Sequence, residues 1–327
     1  MMDFAYTTEP GEDWTNNGSG ATTGFGSTVP NGSPAPGQPL SFDILAGLAA
    51  SPATVTKNSD GGYTFTTAFI LPVAAIGSGV AVLEGHSETG TTEVPVRTAT
   101  LPFAITDSTA QARRTVVDIQ KCDACHGLLS LHGSNRTDNI QACVACHNTE
   151  ATDVTQRPQP PGTLGIDGKP EQAIDFAAMI HGLHSSQIVV YSYTGTPGGV
   201  APANPTDYTS LMFPEGNSVH HCDICHADTN PFPTADTIGL VNGVTQITLD
   251  SANQSTYLRT TKTTAVCSSC HSSTTEIAHM EVAGGTLSLT QPAINAAKPG
   301  SPGAESCQVC HSADSAFSPT LYHNVYP

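Results

Sequence analysis

Ten cysteines fall into five C-x-x-C pairs, and each pair is followed at once by a histidine. The pairs are Cys122/Cys125, Cys143/Cys146, Cys222/Cys225, Cys267/Cys270 and Cys307/Cys310, and the adjoining histidines are His126, His147, His226, His271 and His311. In a C-x-x-C-H segment the two thiols add to the two vinyl groups of one haem, and the neighbouring imidazole becomes the proximal ligand of the iron. Five such segments predict five covalently bound haem c groups. Zinc ribbons, dithiol redox pairs and disulfide frameworks also use C-x-x-C, yet none of them requires a histidine at the next position. Only 13 of the 327 residues are histidine, so five such coincidences have odds on the order of one in ten million. The pattern uses every cysteine, which leaves neither a disulfide nor a free thiol.

The second axial position decides what a haem can do, because an iron held by two protein ligands exchanges electrons, whereas an open one also binds substrate. Eight histidines remain: His86, His132, His181, His184, His220, His221, His279 and His323. His132 follows the first site within Leu131-His132-Gly133, His279 follows the fourth and His323 the fifth, so these three are expected as distal ligands. His181 and His184 stand one turn apart on a predicted helix and are expected to reach two different haems. Of the adjacent pair His220-His221, at most one can face a given haem, and His86 reads as an ordinary loop residue. Five distal candidates thus match five irons, which favours an electron relay through bis-histidine haems over an enzyme.

The rival reading is a multihaem nitrite or hydroxylamine reductase with one open iron. Such reductases commonly mark the catalytic haem with C-x-x-C-K, a motif absent from this sequence.

Composition sets the surroundings. A formal net charge of −17 argues against nucleic acid and anionic membrane surfaces as partners. No stretch reaches the length of a membrane span, and Met1 to Phe4 begins no recognisable leader, so a mature or trimmed exported protein without a membrane span is expected. Residues 1–40, rich in Gly, Ser, Asn and Pro, read as a flexible arm. Residues 41–109 carry short alternating runs (Tyr63 to Leu71, Val80 to Glu84, Val94 to Ile105) and read as an all-β sandwich or barrel-like domain. Residues 110–327 read as a pentahaem cytochrome domain with short helices and little regular secondary structure. Helices are expected at Ala110 to Gln120 and Gln172 to Ser185, a strand within Gly239 to Leu249 and a loop over Thr194 to Thr209. The haem sites are expected on short turns.

Several of these segments look familiar. Arg113-Arg114-Thr115-Val116-Val117-Asp118 before Cys122, Leu131-His132-Gly133, Met179-Ile180-His181-Gly182-Leu183-His184, Ala278-His279-Met280 with Gly284-Gly285, and Glu305-Ser306-Cys307 resemble the OmcA/MtrC family of outer-membrane decahaem cytochromes. The resemblance covers residues 110 to 327 well and the β segment loosely. It implies distal roles for the positions of His132, His181, His184, His279 and His323. It further implies extracellular electron transfer from an outer-membrane conduit or other cytochromes to metal oxides or soluble shuttles, at the cell surface or outside it, with the periplasm as second choice. The family repeats a β-plus-pentahaem unit twice, whereas this chain has it once and lacks a lipid-anchor cysteine. A homopolymer, with modules joined head to tail into a conducting filament, is therefore also expected.

Overall fold

The computed structural model describes residues 1–9, 13–16, 37–49, 54–66, 71–157, 163–191, 205–214, 221–227, 243–250, 253–312 and 315–323. Its largest sheet has four antiparallel strands in the order β2-β1-β5-β8: β1 Met2–Thr7, β2 Leu40–Phe42, β5 Ile76–Leu83 and β8 Ala99–Ala104. Helix α1 (Ile44–Ala49) and the hairpins β3 (Val55–Lys57) with β4 (Tyr63–Phe65) and β6 (His86–Thr89) with β7 (Thr92–Pro95) attach to it.

Strand β1 departs from the expected arm. Met2 to Thr7 lies between β2 and β5, with Asp3 opposite Ser41 on one side and Val82 on the other. Alternation explains it, since the two faces of a strand serve different neighbours. Ala5, with Val80 and Val82, packs against Ala142, Val144 and Ala145, while Tyr6 joins Leu40 and Ala75 on the other face. Farther along the expected arm Asp13, Trp14, Thr15 and Asn16 are buried, while residues 10–12 and 17–36 lie outside the described residues.

Beyond residue 110 the elements are short. Helix α2 spans Ile119–His126, and β9 (Ser130–Leu131) pairs with β10 (Arg136–Thr137). Helix α3 spans Ile140–Cys146 and α4 spans Phe176–His184; β11 (Val189–Tyr191) pairs with β12 (Pro205–Asp207). A three-stranded sheet joins β13 (Val244–Ile247), β14 (Leu258–Thr260) and β15 (Leu289–Thr290). Helices α5 (Lys262–Cys267), α6 (Thr274–Val282), α7 (Gln291–Asn295), α8 (Gln308–His311) and α9 (Pro319–Tyr322) complete the chain.

Two expectations are corrected. The helix expected at Ala110 to Gln120 begins only at Ile119, because Asp118 caps it by accepting from the Gln120 amide at 2.9 Å. Upstream, Arg113 and Arg114 both turn onto the buried Asp13 carboxylate, which holds that segment extended. The loop expected over Thr194 to Thr209 contains β12, whose Pro205 to Asp207 pairs with Tyr191 to Val189; residues 192–204 lie outside the described residues. The helix at 172–185 appears in shortened form as α4, and the strand within 239–249 appears as β13, with residues 239–242 outside the described residues.

Among the described residues the apolar clusters are small, the largest joining seven buried residues from the first sheet, α3 and Trp14. Among the described residues no helix is long and apolar enough to cross a membrane.

Candidate functional site: five paired imidazoles

Each C-x-x-C-H segment forms about one helical turn. The histidine amide bonds the carbonyl of the first cysteine at 2.9 Å for His147, His226 and His311 and at 2.8 Å for His271. This corrects the expectation of short turns: the sites close α2, α3 and α5, lie on α8, or form a 3-10 turn at Cys222–Ile224. The helical turn has a chemical use, because residues three apart share a face, so both thiols approach one edge of a single planar group.

Every proximal imidazole lies beside one distal candidate. His126 and His184 have ring centroids 6.2 Å apart, His132 and His147 6.1 Å, His181 and His226 6.2 Å, His271 and His323 6.0 Å, and His279 and His311 6.1 Å. Two imidazole rings in direct contact can stack or meet at any angle, but a metal between them fixes the separation. An iron held about 2 Å from one nitrogen of each ring sets the centroids about 6 Å apart. The five separations agree within 0.2 Å, although the interplanar angles run from 16° to 87°.

The other ring nitrogens point the same way. Nδ1 of His147 lies 2.9 Å from the Ile174 carbonyl, that of His184 2.9 Å from the Ile180 carbonyl, and that of His271 2.9 Å from a Glu276 carboxylate oxygen. Nδ1 of His311 lies 2.8 Å from the Phe317 carbonyl, and that of His323 3.0 Å from the Pro319 carbonyl. An acceptor at Nδ1 fixes the proton there and leaves Nε2 as the ligating atom. Desolvation pushes the His181 imidazole down to about 4 and also lowers His147, keeping both in the neutral form that binds metal.

The thiols differ from those of a redox pair. Desolvation raises Cys122, Cys143 and Cys222 to about 11, and Cys146 and Cys267 to about 12. Cys225, Cys270 and Cys307 are raised by the same cause. Dithiol redox centres work through a lowered thiol pKa, the opposite direction.

One role does not give the ten cysteines one environment. Cys125, Cys270 and Cys310, the second thiols of the first, fourth and fifth motifs, stand exposed, whereas the other seven are partly buried. For Cys125 and Cys310 the reason is local, because α2 and α8, which carry them, contain no buried residue. Each lies one helical turn beyond its partner, Cys122 or Cys307, and the Cys310 amide bonds the Cys307 carbonyl at 3.2 Å. The protein itself therefore leaves Cys125 and Cys310 open to solvent, and the thioether links predicted for them rest on the C-x-x-C-H pattern rather than on an enclosing pocket.

Among the described residues no three His, Cys, Asp or Glu side chains converge as a bare metal ion would require. Leu128, Leu131, Val309, Phe317, Leu321 and Tyr322 stand exposed near these histidines, the kind of apolar surface a porphyrin would cover. The residues present therefore fit a haem at each motif.

The sites are also tied to one another. Val117 bridges His226, the Asp118 amide bonds the Cys225 carbonyl at 3.0 Å, and the Lys121 ammonium donates to the carbonyls of Asp223 and His226. These contacts join the first and third sites. Helix α4 supports the same two, because Asp175 caps it from the Ala178 amide at 3.0 Å and its last turn carries both His181 and His184. Ser185 and Gln187 then bond the carbonyls of Ser269 and Cys270 in the fourth site. The Glu305 carboxylate holds the Thr263 and Thr264 amides, linking the fourth site to the fifth.

His221 precedes the 3-10 turn of the third site, and His220 lies outside the described residues. His86, read from sequence as a loop residue, opens strand β6, and its Nδ1 lies 2.9 Å from Asn135 Oδ1. No sequence signal ties it to residue 135.

Comparison with known proteins gives this geometry its family. No curated protein sequence matches the chain. Among solved structures, the crystal structure of MtrC from Shewanella baltica OS185 is similar at 18% identity and a TM-score of 0.43, covering 95% of this chain and 44% of that one. The chain thus spans less than half the length of that relative. The family profile for outer membrane cytochrome MtrC/MtrF-like proteins, domains II/IV, matches residues 114–324. That match takes in all five motifs and well over half of the sequence, and the chain belongs to this family of outer membrane cytochromes, electron-transfer proteins with covalently bound haem c.

Proposed function

We propose that the chain relays electrons through five bis-histidine haems c. The observation that carries this reading is the set of five imidazole pairs at one metal-bridging separation. The assignments are His126 with His184 at haem I, His147 with His132 at haem II, His226 with His181 at haem III, His271 with His323 at haem IV and His311 with His279 at haem V. Thioethers to Cys122 and Cys125 hold haem I and those to Cys307 and Cys310 hold haem V, with the three intervening pairs holding haems II to IV. When bound, each haem supplies a reversible one-electron couple. The chain's own residues fill both axial positions, orient the rings through their Nδ1 acceptors and hold neighbouring sites in contact. The hydrogen bonds that join the first site to the third, α4 to the fourth and the fourth to the fifth, with the short run of chain from α2 to His132, support the order II–I–III–IV–V along the relay.

The ferric protein is expected to show only low-spin haem, and the reduced protein to bind no carbon monoxide. A stoichiometric high-spin haem would refute the relay and favour the reductase class.

Membership in an outer membrane cytochrome family supports an exported protein at the outer surface, receiving electrons from other cytochromes and delivering them to metal oxides or soluble shuttles. With less than half the length of the MtrC chain, one such unit covers a short distance. Head-to-tail association of copies into a conducting filament extends it. Electron micrographs of purified protein are expected to show filaments, and dispersed monomers at every concentration would exclude them.

A further inference from the structure

His132 adopts φ +56°, and Gly133 and Ser134 continue in the left-handed region at +64° and +59°. A non-glycine residue there costs on the order of 1 kcal/mol, and such a backbone persists only where its surroundings over-determine it. The loop between β9 and β10 must therefore be held from outside.

The holding groups come from the N-terminal strands. The Gly85 amide donates to the Asn135 carbonyl at 2.9 Å. Arg136 pairs with the buried Glu84 carboxylate, donating from Nη2 at 3.0 Å. The Thr98 amide bonds the Thr137 carbonyl at 3.0 Å, the Thr137 amide returns a bond to Thr98 Oγ1 at 2.9 Å, and Asn139 Nδ2 donates to the Thr98 carbonyl at 2.8 Å. Arg97 and Asp138 form an ion pair at 2.9 Å.

Asn135 connects this clamp to the histidine. Its Nδ2 donates to the His132 carbonyl at 2.9 Å, so its Oδ1 faces His86 Nδ1, 2.9 Å away, as acceptor. His86 then carries its proton on Nδ1. A side-chain amide fixed at both ends holds the His132 backbone in its left-handed turn, with the imidazole 6.1 Å from that of His147.

We infer that Asn135 and His86 are positioning residues for the distal ligand of haem II, and that the N-terminal strands keep that iron six-coordinate. This rests on the bis-histidine reading above and adds a role for the β strands that electron relay alone does not require.

The test uses full-length, haem-loaded protein with five haems per chain verified for each variant. His132→Ala sets the reference, one haem of five becoming high-spin and binding carbon monoxide. Asn135→Ala and His86→Ala are expected to open the same haem in a fraction of molecules, with added imidazole restoring the low-spin spectrum. His86→Gln, whose amide nitrogen can still donate to Asn135 Oδ1, is expected to remain low-spin. Asn135→Ala and His86→Ala variants that stay wholly low-spin, beside an opened His132→Ala, would overturn the positioning role. A His132→Ala protein with five low-spin haems would instead remove the haem II pairing beneath it. A loss of thermal stability in Asn135→Ala without any spin change would mark the bond as merely structural.

Discussion

Arg259→Ala is expected to lower the stability of the haem-loaded protein by about 3–5 kcal/mol, and Glu150→Ala to do the same. Both side chains are fully buried, and the guanidinium meets the carboxylate through two bonds, Nη1 to Oε1 at 2.5 Å and Nη2 to Oε2 at 2.8 Å. Removing either partner leaves a charge in a site closed to water, which costs far more than the pair itself contributes. The location adds to the effect. Glu150 lies just past the second C-x-x-C-H motif, while Arg259 sits in the middle of the β13-β14-β15 sheet, so the pair bolts that motif to the segment that leads into the fourth site. Replacing both together, Glu150→Leu with Arg259→Met, is expected to return most of the loss, since two apolar groups of similar volume strand no charge. Guanidinium unfolding followed by far-UV circular dichroism measures these differences. Single variants within about 1 kcal/mol of the parent would mean that water reaches the site.

Ile180→Pro is expected to open two haems at once. The substitution removes the amide that an interior helical residue donates four positions back, and its ring clashes with the preceding turn, a cost of about 3 kcal/mol or more. The Ile180 carbonyl is also the acceptor for His184 Nδ1, and His181 is the next residue along α4. On the proposed pairings, haems I and III lose their second imidazole together, giving two carbon monoxide-binding haems of five. His181→Ala and His184→Ala are each expected to give one. These single variants keep α4 intact, so they carry the assignment even where proline prevents folding. Two opened haems in either single variant would show that the two ligands are not independent.

The candidate attachment motifs were legible from sequence because C-x-x-C-H is a local pattern, complete within five residues. The exposure of Cys125 and Cys310 was not, since it depends on which helix faces the rest of the chain leaves uncovered. The candidate distal set could be read as a count, five of the eight remaining histidines for five motifs, but which ring lies beside which could not. His126 meets His184 and His271 meets His323 through contacts made long after the residues part in sequence, and no local periodicity encodes them. Strand β1 was missed because six residues ahead of a Gly- and Ser-rich stretch carry little weight alone. Their alternation acquires meaning only against Val80 and Leu40, far along the chain. The start of α2 was misplaced although Asp118 offered a capping signal, because Ala110 to Gln120 also has helix-forming composition and the Asp13 contact with Arg113 and Arg114 could not be foreseen. Two-residue strands such as β9 and β10 have no pattern of their own, yet they frame the loop that holds His132.

The proposed pairings, with a haem at each motif, would also impose a schedule on maturation. A chain exported from its N-terminus presents ligands in order, and a site closes once both of its imidazoles have emerged. Haem II needs only residues 132 and 147 and can close first. Haem I, attached earlier, waits for residue 184, and haem III closes at 226. Haem V is satisfied at residue 311, ahead of haem IV, which is attached earlier yet waits for residue 323. A chain cut between 311 and 323 would therefore hold five thioether-linked haems and four closed irons, with the vacancy at the haem in fourth place along the proposed relay.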